Sequence, residues 1–354
     1  MDPELIGQMM DLTTRTWVSQ AVSVAAELGV ADTLADGPQQ VDDIARAVGA
    51  DADALYRLLR ALSDLDLFQE LEGRRFASTP LGDVLRTGGA GSLRDWAIMT
   101  GRPFHREAWT ALAHSVRTGE PAFEHVHGAM GFDHFRDHPE DGQALNAAMT
   151  AVSGLVIGPV VAACAFEPGS KIVDVGGGHG ALLAALLAAN PDTHGVVFDL
   201  PHVVDGAGRA AEDAGVADRC EYIGGDFFES VPSGGDAYVL SNIVHDWDDA
   251  SAVRILANCR NAMNPNGRVL LMEAVLPDDI RPSRAKWIDL EMLIMARGAR
   301  QRTGAEYADL LNCAGPAPHP GRRRPRRRRV RRHRGGAAPD VTDTASRNSP
   351  GGSP

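Results

Sequence analysis

Three stretches of this chain carry residue types that can do chemistry together. Val239-Leu240-Ser241-Asn242-Ile243-Val244-His245-Asp246-Trp247-Asp248-Asp249 reads as a buried apolar strand ending in a histidine, a carboxylate and a tryptophan. Upstream is a glycine turn, Asp174-Val175-Gly176-Gly177-Gly178-His179-Gly180, and downstream a carboxylate, Glu273, closes another apolar run. In an open α/β sheet, ligands bind beyond the carboxyl ends of the strands, so all three features face one crevice. A glycine-lined pocket with a histidine beside it points to group transfer onto an acidic hydroxyl. A phenol, with a pKa near 10, is a poor nucleophile at neutral pH, and a histidine of ordinary pKa near 6.5 can take its proton as transfer proceeds.

The elements that must hold these residues follow from periodicity. From residue 170 short apolar runs alternate with helical patterns: Ile172–Val175, Gly195–Asp199, Cys220–Ile223, Asp236–Ser241 and Arg268–Glu273 as strands, with 180–189 a helix of Ala and Leu. That alternation predicts a parallel, doubly wound sheet. Before it, residues 18–30 show helical spacing that stops at Gly29, and two short helices follow near 41–48 and 52–65. Leu67–Leu71, a Glu72-Gly73 turn and Arg74–Ser78 form a hairpin. Three helices and a β-wing make a winged helix. Its would-be DNA-reading helix, 52–65, sets Arg57 and Arg60 against Asp51, Asp53, Asp64 and Asp66, a poor surface for phosphates, so a dimerisation module is expected rather than a DNA-binding regulator.

Residues 92–163 read as helical throughout, with Trp, Phe and Met at core spacing. Met149 with Asp246, Met292 and Met295 is expected to shape an acceptor pocket. No carboxylate or cysteine pattern completes a metal site around His125-Val126-His127, so no metal is expected. Ala151–Phe166, the most apolar segment, carries Ser153, Gly154 and Pro159 and is expected to be too short to span a bilayer, a core helix feeding the first strand.

The glycine turn alone leaves the ligand open, because Gly176-x-Gly178-x-x-Ala181 also fits a dinucleotide pattern with a pyrophosphate at the helix N-terminus. Three carboxylates decide against it. Asp174 sits where it can attract a cationic amino group or sulfonium. Asp199, at a strand end, can accept from both ribose hydroxyls. Asp226 can accept from an adenine amino group, with Phe227 against the ring. Such a cluster repels a pyrophosphate and suits S-adenosylmethionine, with S-adenosylhomocysteine as product.

Asp174-Val175-Gly176-Gly177-Gly178, Phe198-Asp199-Leu200-Pro201, Gly224-Gly225-Asp226-Phe227-Phe228 and His245-Asp246-Trp247-Asp248-Asp249, in this order, resemble the motif series of the caffeate-type S-adenosylmethionine O-methyltransferases. The family includes bacterial enzymes of aromatic polyketides and natural products. The resemblance covers roughly 15–315. It implies a Rossmann-like class I methyltransferase domain behind an N-terminal winged-helix dimerisation domain, and a homodimer. It implies cofactor contacts from Gly176, Gly178, Asp199, Asp226, Phe227 and Ser241, the last a lysine in plant members. It gives His245 the role of base and Glu273 that of the glutamate that fixes its tautomer, as an aspartate does in a hydrolase triad. A second supporting glutamate of the family is matched here by Gln301. The chain is thus expected to divide into 1–100 for dimerisation, 101–165 as a helical pocket region, 166–315 for the cofactor, and a tail at 316–354. The rival readings are a family member that binds cofactor without transferring methyl, which the histidine opposes, and the winged-helix regulator already weighed.

Composition agrees with a cytoplasmic enzyme of small molecules. Four cysteines lie in no CxxC spacing, and the acidic N-terminus has no basic-then-apolar signal. The chain carries a net charge of −12, yet 316–354 hold eleven arginines against Asp340 and Asp343, which leaves −21 on residues 1–315. Neither nucleic acid nor a membrane is expected as partner for so acidic a body. In the tail, where the family continues with two strands, the text turns to Arg, Pro and Gly. It is read as out-of-frame text from a G+C-rich gene, consistent with only two lysines (Lys171, Lys286), the alternative being a disordered basic arm.

Overall fold

The computed structural model describes residues 2–89 and 91–315, so the expectations for 316–354 lie outside the described residues. Helix α1 (Pro3–Glu27) begins on an Asp2 cap whose carboxylate accepts from Glu4 N at 2.9 Å, and Gly29, at φ +71°, turns the chain into the single-turn α2 (Val30–Thr33). It starts fifteen residues before the periodic stretch that announces it. The reason is exposure: Leu5, Met9, Met10 and Trp17 stay 59–72% exposed, so they follow no core pattern. A two-residue β1 (Gln39–Gln40), α3 (Val41–Val48), α4 (Ala52–Ser63) and the hairpin β2 (Phe68–Leu71) and β3 (Arg75–Ser78) complete the first region. Its three-stranded sheet runs β1-β3-β2, and Leu55, Leu59, Leu62, Phe68 and Phe76 fill its core.

Six helices follow: α5 (Arg94–Gly101), α6 (Pro103–Thr110), α7 (Leu112–Thr118), α8 (Ala122–His127), α9 (Gly131–Asp137) and α10 (Pro139–Ala163). Both α1 and α10 pack along α5. The core-helix expectation for 151–166 is wrong. Of α10 only Ala148 is buried, and Leu155 and Val156 are 45% and 40% exposed, because nothing among the described residues covers that face. The helix also runs 25 residues, so by length and composition it is long and apolar enough to cross a membrane, contrary to the shorter span read from the sequence.

The third region is β4 (Lys171–Val175), α11 (Ala181–Ala189), β5 (His194–Asp199), α12 (Pro201–Val204), α13 (Arg209–Asp213), β6 (Cys220–Gly224), β7 (Ala237–Ser241), α14 (Asp249–Ala262), β8 (Arg268–Met272), β9 (Val275–Leu276), α15 (Ala285–Met295), β10 (Arg302–Thr303) and α16 (Gly304–Cys313). Five parallel strands pair in the order β6-β5-β4-β7-β8, and β9 pairs with β10 apart from them. All five lie within a residue or two of the predicted positions. Apolar clusters cover both faces of the sheet, so its central strands are buried on both sides and read as unbroken apolar runs. The strand order reverses between β4 and β7. Their carboxyl ends therefore open the crevice that positions the site.

Candidate active site

The chemistry sits on the turn after β7. Asn242 adopts φ +54°, a left-handed conformation that asparagine tolerates, and swings the chain off the strand. The next two backbone N–H groups, of Ile243 and Val244, donate to Glu273 Oε1 at 3.1 and 2.7 Å. Glu273 Oε2 meets His245 Nδ1 at 2.6 Å. The glutamate side chain is 1% exposed and the imidazole 12%, so the pair is set in a nearly dry wall. On the other ring nitrogen, Nε2, Asp246 Oδ1 stands at 3.3 Å. Burial alone would lower the histidine pKa. The hydrogen bonds and charges of Asp246 and Glu273 outweigh it and push the pKa up to about 10.

Gln301 does not take the second-partner place expected for it. It is 1% exposed, and neither amide atom has a hydrogen-bond partner among the described residues. Its backbone N–H goes to Asp289 Oδ1 at 2.8 Å instead. The second carboxylate at the ring is Asp246, placed by the tight turn rather than by a distant segment. Sequence reasoning also missed Arg302, although it is 1% exposed. Its guanidinium donates to the Val244 and Trp247 carbonyls at 3.1 and 2.7 Å and to Asp249 Oδ1, clamping the histidine turn from both sides. A clamp to backbone carbonyls leaves no spacing signal in a string.

The glycine turn lies against this turn. A Cβ on Gly176, which has φ +72°, would stand 2.4 Å from Ile243 Cδ1, so only glycine lets the two loops touch. A Cβ on Gly178 (φ +57°) would meet nothing within 4 Å, which marks the open side of the cradle. Asp199 ends β5, with Oδ2 accepting from Gly178 N at 2.8 Å and Oδ1 from Leu200 N at 2.7 Å. It holds the cradle shut, and each oxygen keeps a second lone pair for a hydroxyl donor. Asp174 lies beneath, 1% exposed, with Oδ2 unpartnered. Burial and then the charge of Asp199 push its carboxyl up to about 7, against a backbone hydrogen bond from Leu183. A buried carboxyl with one unpartnered oxygen beside an open glycine cradle suits a cationic ligand, and the residues present fit S-adenosylmethionine.

Around this centre Ser241 is half-buried at the end of β7, and Asp226 accepts from Phe228 N at 2.7 Å. Phe227 packs edge-on to Phe228 and Trp247 at 5.0 and 5.9 Å between centroids. The expected acceptor-pocket residues are less well gathered. Met292 and Met295 lie on α15, with Met295 packed into the helical cluster of Phe104, Phe123 and Ile294. Met149, on α10, is 41% exposed. His127 Nε2 bonds the Phe104 carbonyl at 2.9 Å and His125 stacks on His114 at 3.9 Å, and no group of three potential metal ligands occurs among the described residues.

Residues 109–317 match the family described as O-methyltransferase domain, and residues 10–88 the O-methyltransferase dimerisation domain. The chain is 42% identical over 307 residues to the phenazine O-methyltransferase PhzM of Lysobacter antibioticus, covering 87% of this chain and 89% of that protein. It is 39% identical to a 3-amino-4-hydroxybenzoate 4-O-methyltransferase of Streptomyces cremeus, covering 88% and 86%. Among solved structures, human N-acetylserotonin methyltransferase in complex with S-adenosylmethionine superimposes with a TM-score of 0.81 at 27% identity, over 89% of this chain and 92% of that one.

Proposed function

The chain belongs to the O-methyltransferase family and uses S-adenosylmethionine, and on that premise we propose that its acceptor is a phenolic or enolic hydroxyl of a small aromatic natural product, with His245 as base. The observation that carries this reading is the 2.6 Å contact of His245 Nδ1 with a buried Glu273 beside the glycine cradle. Glu273 holds the ring proton on Nδ1, which leaves Nε2 to take the acceptor's proton. Asp199, Asp226, Phe227 and Ser241, with Gly176 and Gly178, hold the cofactor, and Asp174 balances its charge from below. The cofactor supplies an electrophilic methyl group on a cationic sulfur. The protein's remaining contribution is to hold the acceptor oxygen in line with that carbon. Incubation with a panel of hydroxylated benzoates, naphthoates and phenazines, read by mass spectrometry for a gain of one CH2 unit, tests the assignment. Methylation only at ring nitrogen or carbon across the panel would overturn it.

Asp199→Ala should weaken cofactor binding by about 1–3 kcal/mol, since it removes charged acceptors and frees Gly178 N. Unchanged calorimetric affinity would remove Asp199 from the site.

The domain division is proposed as the sequence suggests: 1–100 for dimerisation, 101–165 over the acceptor, 166–315 for the cofactor. The assembly is a homodimer in the cytoplasm. Trp17, 72% exposed on α1, and the bare apolar face of α10 flank the same helix and are covered there by the second copy. Burying one tryptophan removes about 150–250 Å² from water, worth about 4–6 kcal/mol at about 25 cal/mol per Å². Trp17→Glu should therefore turn a dimeric mass into a monomeric one by light scattering. A dimer that survives the change would put the interface elsewhere, and wild-type partitioning onto lipid vesicles would assign the α10 face to a membrane.

A further inference from the structure

His245 is walled in on one side only. On its Nδ1 side Glu273 is 1% exposed, and its second oxygen is already bound by two backbone N–H groups, so a proton passed there has no onward acceptor. On the Nε2 side Asp246 Oδ1 stands at 3.3 Å, and its side chain is 47% exposed. Buried carboxylate, nearly buried imidazole and half-exposed carboxylate thus form a line from the protein interior to water.

We propose that Asp246 is the proton exit of the active site, taking the proton from His245 Nε2 after each methyl transfer and releasing it to solvent. The proposal rests on the reading of His245 as base. Its balance is simple. As the acceptor oxygen bonds the methyl carbon, the electron pair of the broken S–C bond stays on sulfur, and the hydroxyl proton ends on Nε2. The ether product carries no proton away, so every turnover leaves one on the ring. That proton passes to the Asp246 carboxylate and from there to water or a buffer base, and His245 returns to the neutral form with its remaining proton on Nδ1.

Two further ionisable groups near this turn do not offer the path. Arg302 from β10 is a permanent donor, occupied with the Val244 and Trp247 carbonyls and Asp249. Tyr307 from α16 is buried, and burial and then the charge of Glu273 push its phenol up, so it stays protonated. A relay need not be a strong base. It needs only to reach the ring nitrogen on one side and water on the other, as Asp246 does at 3.3 Å from Nε2 with its side chain 47% exposed.

The test follows the proton itself and needs no acceptor. In the full chain labelled with ¹⁵N-histidine, His245 is identified by loss of its signal in H245Q, and exchange of its Nε2 proton with water is measured at a pH set equally far below each variant's own His245 pKa, read from the same signals, because removing the Asp246 charge also lowers that pKa. Asp246→Asn, which keeps shape and polarity but cannot carry the proton, should slow this exchange at least tenfold, and Asp246→Glu should restore it. A carboxylate that merely caps the nitrogen protects it, so its removal would speed exchange. Faster or unchanged exchange in D246N overturns the proposal. Methyl transfer by H245A is read separately: full activity there removes the base reading itself, whatever the exchange rates show.

Discussion

Changing His245 to alanine is expected to slow methyl transfer by about 10²–10⁴-fold, the usual worth of a positioned general base. S-adenosylmethionine should still bind with nearly unchanged affinity, because the cradle is made by Gly176, Gly178 and Asp199 and not by the imidazole. Calorimetry and initial rates on the same preparation separate the two. Lost cofactor affinity would make His245 a scaffold residue. The pH dependence adds a signature. The base works only when deprotonated, and its pKa stands at about 10 rather than near 6.5. In the free enzyme kcat/KM should therefore climb with pH through neutrality and level off only in the alkaline range. Removing the Asp246 charge should move that limb to lower pH. A limb that stays near 6.5 in the wild type would mean that the two carboxylates do not act on the ring.

The second large effect is expected from Glu273→Gln, and it comes from the two backbone donors. Ile243 N–H and Val244 N–H both point at Oε1, so the glutamine carbonyl must face them and its NH2 must face His245. An NH2 group can only donate, which forces Nδ1 to accept and moves the ring proton to Nε2. The nitrogen that should take the acceptor's proton is then already protonated. The fold should survive, since both backbone bonds are kept, while kcat falls by about 10²–10⁴-fold. The opposite flip would set the NH2 against two N–H groups and cost about 1–3 kcal/mol for each donor left unsatisfied. A kcat close to wild type with normal thermal stability would reduce Glu273 to a backbone cap.

Much of this was written in local sequence. The central strands β4, β5 and β7 are buried on both faces because apolar clusters cover both sides of the sheet, so each appears as a largely apolar run that a string can show. Gly176 and Gly178 are legible because their positive φ values exclude most other residues. His245 and Glu273 are legible because each follows a strand's carboxyl end, and those ends in such a sheet share one crevice. What the sequence could not decide is whatever depends on a partner outside the local chain. The first half of α1 stays exposed among the described residues, and along the second half of α10 Leu155 and Val156 stay exposed while Val161 packs on the sheet's apolar cluster, so neither helix shows the periodicity of a core helix. The second partner of His245 was sought at Gln301 and stands instead at Asp246, because a 3.3 Å approach is set by a turn whose shape Asn242, Glu273 and Arg302 fix together. The residue types at the site are a property of the sequence. Which carboxylate faces which nitrogen is a property of the folded turn.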